Sequence, residues 1–180
     1  MKKVIYNEDE LKDNEIDKVV TRVKALIIND SDDILLGYSN NVYQFPGGHL
    51  NKNEDEVCGL IREVKEETGM DISDIEKKLF LKMEVYSKNY NYTKLNRKDV
   101  IYYYIINTNK HVNLNETNYT KLEISGNFKL KRIKLDDAIY VITKNYIDYP
   151  NAKQIALEMI EVLDIYKKSM KKVRHVVLFQ

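Results

Sequence analysis

The sequence is poor in residues that bend or cross-link a chain. Two prolines and six glycines in 180 residues leave most turns to other residue types. A single cysteine, Cys58, excludes an internal disulfide and any cysteine-based zinc cluster. No run approaches 18 apolar residues, and the opening MKKVIYNEDELKDNE lacks the apolar core of a signal peptide. A cytoplasmic protein with no membrane partner is therefore expected. An excess of one charge is missing as well. With 29 basic against 28 acidic side chains, the net charge of +1 gives no global field for nucleic acid, and no nucleic-acid partner is expected.

What is present is the balance of a soluble, folded chain, 43% hydrophobic and 32% charged. The length suits one domain, expected over residues 1–170. The last ten residues, KKVRHVVLFQ (171–180), end like the remnant of a protease site added for expression and are set apart. Residues 1–18 read as a polar arm or short edge strand. VVTRVKALIIND (19–30) and ILLGY (34–38) read as strands around an SDD turn. SNNVYQFPGGHLNKN follows as a loop whose Pro46-Gly47-Gly48 is the strongest break in the sequence. Helix is expected over 54–70, strand over 77–87, 100–107 and 127–134, and helix over 135–146, capped by its Asp pair, and over 151–170. A long polar loop is expected between the second and third of those strands. Strands interleaved with three helices predict a mixed α/β or α+β layer fold.

The segment EDEVCGLIREVKEETGM (54–70) is the most informative. Val57, Leu60, Ile61 and Val64 fall at i, i+3, i+4 and i+7, and Gly69 stops the helix. At about 100° per residue, Glu63, Glu66 and Glu67 share one arc beside that apolar stripe. Gly59 points into the same arc. A mid-helix glycine costs about 1 kcal/mol against alanine, which suggests that something needs the space. Three like charges so spaced repel, and a shared divalent cation would remove the cost. Oxygen donors without nearby His or Cys favour Mg²⁺, with Mn²⁺ as the alternative, over Zn²⁺. On its own EVKEE more often describes a solvated face, with Lys65 and Lys52 as ion-pair partners. Arg62 and Glu54 are placed to pair and brace the loop.

The spacing of the whole segment argues further. From Gly48 it runs G, five residues, Glu54, seven residues, Arg62, Glu63, Val64, one residue, Glu66, Glu67, one residue, Gly69, Met70. This resembles the Nudix box, G-x5-E-x7-R-E-U-x-E-E-x-G-U, with every defined position filled. The resemblance implies an α/β/α sandwich with a mixed sheet between helices. It also implies a Mg²⁺-dependent pyrophosphohydrolase acting on a nucleoside diphosphate linked to another moiety. Carried over by position, Glu63, Glu66, Glu67 and the Gly47 carbonyl would hold metal, and Glu54 and Arg62 would be the brace. Family members often draw a further acid from a late loop, where Glu123 is preferred over Glu116. A homodimer is admitted, since many relatives are dimers. The alternative on the same fold is a catalytically silent nucleotide-binding or regulatory module. Such relatives would be expected to lose box carboxylates, and all three are present.

Marks of NADH pyrophosphatases, ADP-ribose pyrophosphatases and coenzyme A pyrophosphatases are absent. Tyr86, 16 residues past Met70, matches a position where dinucleoside polyphosphate hydrolases tend to have tyrosine. That class or a nucleoside triphosphate is favoured, although a packed strand tyrosine explains Tyr86 as well. SKNYNYTKLNRKD (87–99) offers Arg97 and Lys98 among tyrosines for phosphates and a base, or else forms a solvated hairpin tip.

Overall fold

A computed structural model describes residues 1–177, with side chains through Met170. The tail is helical backbone through Val177. Residues 178–180 lie outside the described residues. The chain forms two compact units, one of residues 1–27 with 46–118, the other of residues 28–45 with the chain from 119 onward.

In the first unit the strands β1 (Lys2–Tyr6), β2 (Lys18–Ile28), β5 (Lys78–Ser87) and β6 (Arg97–Asn107) lie in the order β1-β5-β6-β2. The polar arm is thus an edge strand, parallel to β5 with Lys2 opposite Leu81. Strands β5 and β6 are antiparallel, Tyr86 opposite Lys98 and Val85 opposite Asp99. The β-branched run of β2 is buried from Ala25 to Ile28, as its apolar composition requires. Residues 46–50 run beside it through Ala25 N to Pro46 O (2.8 Å), Val23 N to Gly48 O and Leu50 N to Thr21 O (both 3.0 Å). The Pro-Gly-Gly turn is therefore fixed backbone, bonded along a strand.

Helix α1 (Glu56–Thr68) completes this unit. Asp55 caps it, its Oδ1 accepting from Val57 N and Cys58 N at 2.9 and 3.2 Å. Gly69 ends it in the left-handed conformation at φ 67°, pressed against the Asn113 carbonyl. The apolar stripe is narrower than its spacing implies: Leu60 and Val64 are fully buried, but Val57 is 37% exposed.

In the second unit β3 (Asp33–Ser39) lies between β4 (Val42–Gln44) and β7 (Lys129–Lys134), antiparallel to both. A Cβ on Gly37 would come within 2.7 Å of the Phe128 ring, so the glycine lets that ring lie on β3. Helix α2 (Lys121–Ser125) interrupts the expected polar loop. Helices α3 (Ala138–Asp148) and α4 (Lys153–Val177) pack on each other, burying Ala138, Ile142, Ala156, Met159, Val162 and Leu163. Asp137 precedes α3 with near-helical angles and no capping hydrogen bond from its side chain, so the Asp pair does not cap that helix.

Among the described residues, seven strands of mixed direction and four α-helices make an α+β fold, as expected. Among the described residues no helix is long and apolar enough to cross a membrane.

Candidate active site

The site is assembled where α1 meets the turn beside β2. Gly47 has φ +126°, and a Cβ there would strike the Val23 carbonyl. Its amide donates to Glu67 Oε2 at 2.9 Å, and its carbonyl accepts from Lys24 Nζ at 2.5 Å. Glu67 is 4% exposed. At Gly48 a Cβ would lie 2.7 Å from Glu63 Cδ, because the carboxylate of Glu63 occupies that space. The space opened by Gly59 is filled by the Leu50 side chain, with the Glu54 carboxylate next to it.

Arg62 ties the helix to the loop. Its Nε and Nη2 donate to Glu54 Oε1 and Oε2, each at 2.8 Å, and Nη2 also donates to His49 O at 3.0 Å. Nη1 donates to Glu63 Oε1 at 2.7 Å and Glu66 Oε2 at 3.1 Å. One guanidinium thus serves three carboxylates in the fork geometry that arginine favours. The pair with Arg62 draws the Glu54 carboxyl down to about 2. Burial pushes Glu63 above the ordinary carboxylate value against the pull of Arg62. His49 is held below the ordinary imidazole value by burial and by Arg22, Lys24 and Arg97.

Among the described residues no group of three His, Cys, Asp or Glu side chains is arranged to hold a metal ion. The carboxylates are turned onto positive or N–H partners: Glu63 and Glu66 onto Arg62, Glu67 onto the Gly47 amide. The Lys24 ammonium sits on the Gly47 carbonyl as a cation would. The donors available, three carboxylates and one carbonyl, are all hard oxygens and fit Mg²⁺ or Mn²⁺.

Other candidates have different surroundings. Glu116 and Glu66 line one open groove with Arg62, Lys65 and Asn118, and Asn118 N donates to Glu66 O at 2.8 Å. Glu123 is the third residue of α2, where its carboxylate accepts from Thr120 N in a capping box. Tyr86 and Lys98 both bond Asp13 Oδ1 at 2.9 Å. Lys98 also reaches Glu84 at 3.5 Å. Arg97 projects to the other face of β6, where it pairs with Asp99 and stacks over Tyr90 at 4.1 Å. Sequence reading therefore grouped two side chains that the strand separates. It also missed Arg22, Lys24 and Asp99: period-2 spacing puts Arg22 with Lys24 on one face of β2 and Arg97 with Asp99 on one face of β6, but only the pairing of those two strands brings them together.

The family model for the NUDIX domain matches residues 18–145. The m7GpppN-mRNA hydrolase of Saccharomyces cerevisiae is 39% identical over 70 residues, 37% of this chain and 7% of that protein, so the chain matches a small part of this curated relative. The C. elegans Ap4A hydrolase resembles the fold at TM-score 0.53 and 19% identity, covering 84% of this chain and 98% of that one. A binary complex of a C. elegans Ap4A hydrolase gives 0.55 and 18%, over 85% and 98%. With the whole box in place and the family model spanning most of its length, this chain belongs to the Nudix hydrolase family.

Proposed function

We propose that the protein is a Mg²⁺-dependent pyrophosphohydrolase that cleaves a phosphoanhydride bond between two nucleosides or at the end of a nucleoside triphosphate. The observation that carries this reading is the close seating of Glu63 and Glu67 on Gly48 and Gly47, with Glu66 one turn from Glu63. Glu63, Glu66, Glu67 and the Gly47 carbonyl would hold the metal. Bound there, it would offset the phosphate charge and lower the pKa of a water molecule. The chain does the rest. The Gly47 amide orients Glu67, Arg62 orients Glu63 and Glu66, and the Glu54–Arg62 pair fixes the loop against the helix. Glu63, the more protected of the Arg62-paired metal candidates, would accept the proton of the attacking water. Glu123 stays a weaker candidate for that role, because its carboxylate already serves the α2 cap.

The substrate class draws support from the names of similar proteins. Ap4A and m7GpppN-mRNA both carry a phosphate chain between two nucleosides, and the second extends the panel to capped RNA. The test is hydrolysis of dinucleoside polyphosphates, nucleoside triphosphates, capped RNA, NDP-sugars and ADP-ribose with Mg²⁺ and after chelation. Wild type should turn over a phosphate-chain substrate only with the metal. Glu66→Gln should remain folded and lose at least about 100-fold in kcat, the order of loss when preorganised charge stabilisation is removed. Normal turnover by that variant would overturn the reading. Binding without turnover by wild type would favour the silent module.

A further inference from the structure

Beside the carboxylates, positive charge outweighs its partners. Arg22 and Lys24 alternate on β2 and Arg97 and Asp99 on β6, so each pair shares a strand face. Asp99 Oδ1 receives both Arg22 Nη1 and Arg97 Nη2, the latter at 2.5 Å. One buried carboxylate thus answers two guanidinium groups. The Arg97 side chain is 11% exposed and its plane is set by the Tyr90 ring. Its Nε is a buried side-chain nitrogen with no hydrogen-bond partner, the single such atom among the described residues. Buried donors are seldom left so, and guanidinium N–H groups match phosphate oxygens. The cluster adjoins the metal candidates: Lys24 bonds the Gly47 carbonyl, and Arg22 bridges His49 across the backbone.

We propose that Arg22 and Arg97, held by Asp99 beside Lys24, form an anion subsite for a phosphate of the substrate chain outside the bond that is cleaved. This rests on the hydrolase reading above for its substrate, and on the unpaired guanidinium donor for its chemistry. An arriving phosphate would meet the Arg22 guanidinium, 23% exposed, and the Arg97 guanidinium beside it, whose buried Nε has to move to reach the oxygens. Asp99 would keep both planes aligned. The subsite selects substrates by the number of phosphates beyond the scissile bond.

Two measurements test it. Without metal, in EDTA, tripolyphosphate binding is followed by calorimetry. Arg97→Met and Arg22→Met should weaken it about tenfold or more, the usual loss for a charge-assisted hydrogen bond. Asp99→Asn keeps both guanidinium groups and one oxygen to align them, and by removing the competing negative charge should tighten it. Lys82→Met, on the opposite strand face with Glu84, should leave it within about twofold. With Mg²⁺ and a dinucleoside tetraphosphate, Arg97→Met should raise KM about tenfold with kcat nearly unchanged. Unchanged tripolyphosphate binding in Asp99→Asn and the arginine variants would overturn the subsite. Weakened binding with an unchanged KM would overturn its role toward substrate. If no substrate is hydrolysed, the EDTA titration still decides the subsite, and the hydrolase reading fails separately. Should an arginine variant not fold, the Asp99→Asn result stands alone.

Discussion

Gly47 and Gly48 are adjacent and lack side chains for different reasons. At Gly47 the backbone is at φ +126° and a Cβ would meet the Val23 carbonyl, which cannot move without breaking β2. At Gly48 the obstacle is the end of the Glu63 side chain, which can swing away. Gly47→Ala should therefore cost about 1–3 kcal/mol of stability, the range for a strained backbone position. Gly48→Ala should cost well under half of that, yet displace Glu63 and lower kcat/KM by about 100-fold, the penalty for a misplacement on the order of 1 Å. Urea unfolding and steady-state kinetics on the two variants separate the effects. Equal stability losses would refute the distinction.

At the scale of elements, α1 is held at both ends and to the loop, and the Glu54–Arg62 pair is the tie that titrates. Folding lowers the Glu54 carboxyl from 4.5 to about 2. A depressed carboxyl stabilises the fold above its unfolded value, and that contribution is lost as pH falls from about 4.5 towards 2. Glu63 shifts upward and works in the opposite sense, so wild type alone does not isolate the pair. The difference in unfolding free energy between wild type and Glu54→Gln should be largest above pH 5 and shrink through that window. A difference independent of pH would mean that the ion pair contributes nothing. Legibility in the sequence followed the strength of the local signals. Helix α1 was readable because its acids, apolar stripe and Gly69 agree, and its observed range falls inside the expected one. The short α2 was not read, because Leu122 and Ile124 are 81% and 67% exposed and make no apolar face. Its signal is the Thr120-to-Glu123 capping spacing, which marks Glu123 as a helix cap. Strand β4 has three residues and too little pattern to show. The brace partners were readable from spacing, whereas the Arg22–Asp99–Arg97 cluster depends on which strands neighbour each other, and no local pattern encodes that.

Over the whole molecule the net charge is only +1, so binding of a cation depends on how charge is arranged locally. In the site Glu63 and Glu66 are already paired with Arg62, Glu67 is satisfied by the Gly47 amide, and Lys24 holds the Gly47 carbonyl. A divalent ion that binds the folded chain must take over these partners, and it then adds stability by linkage. At a concentration about 100 times its Kd the gain is about 2.7 kcal/mol, equivalent to roughly 5–10 °C for a chain of this size. Wild type should therefore melt higher as Mg²⁺ is added, following a saturating curve, while Ca²⁺ supplied instead tests selectivity for the smaller ion. Glu67→Gln should melt near wild type without metal, since the amide side chain can still accept from Gly47, and should gain little from Mg²⁺. If Glu67→Gln gained as much as wild type, the stabilising ion would be binding elsewhere, and the carboxylate face of α1 would lose its claim to be the metal site.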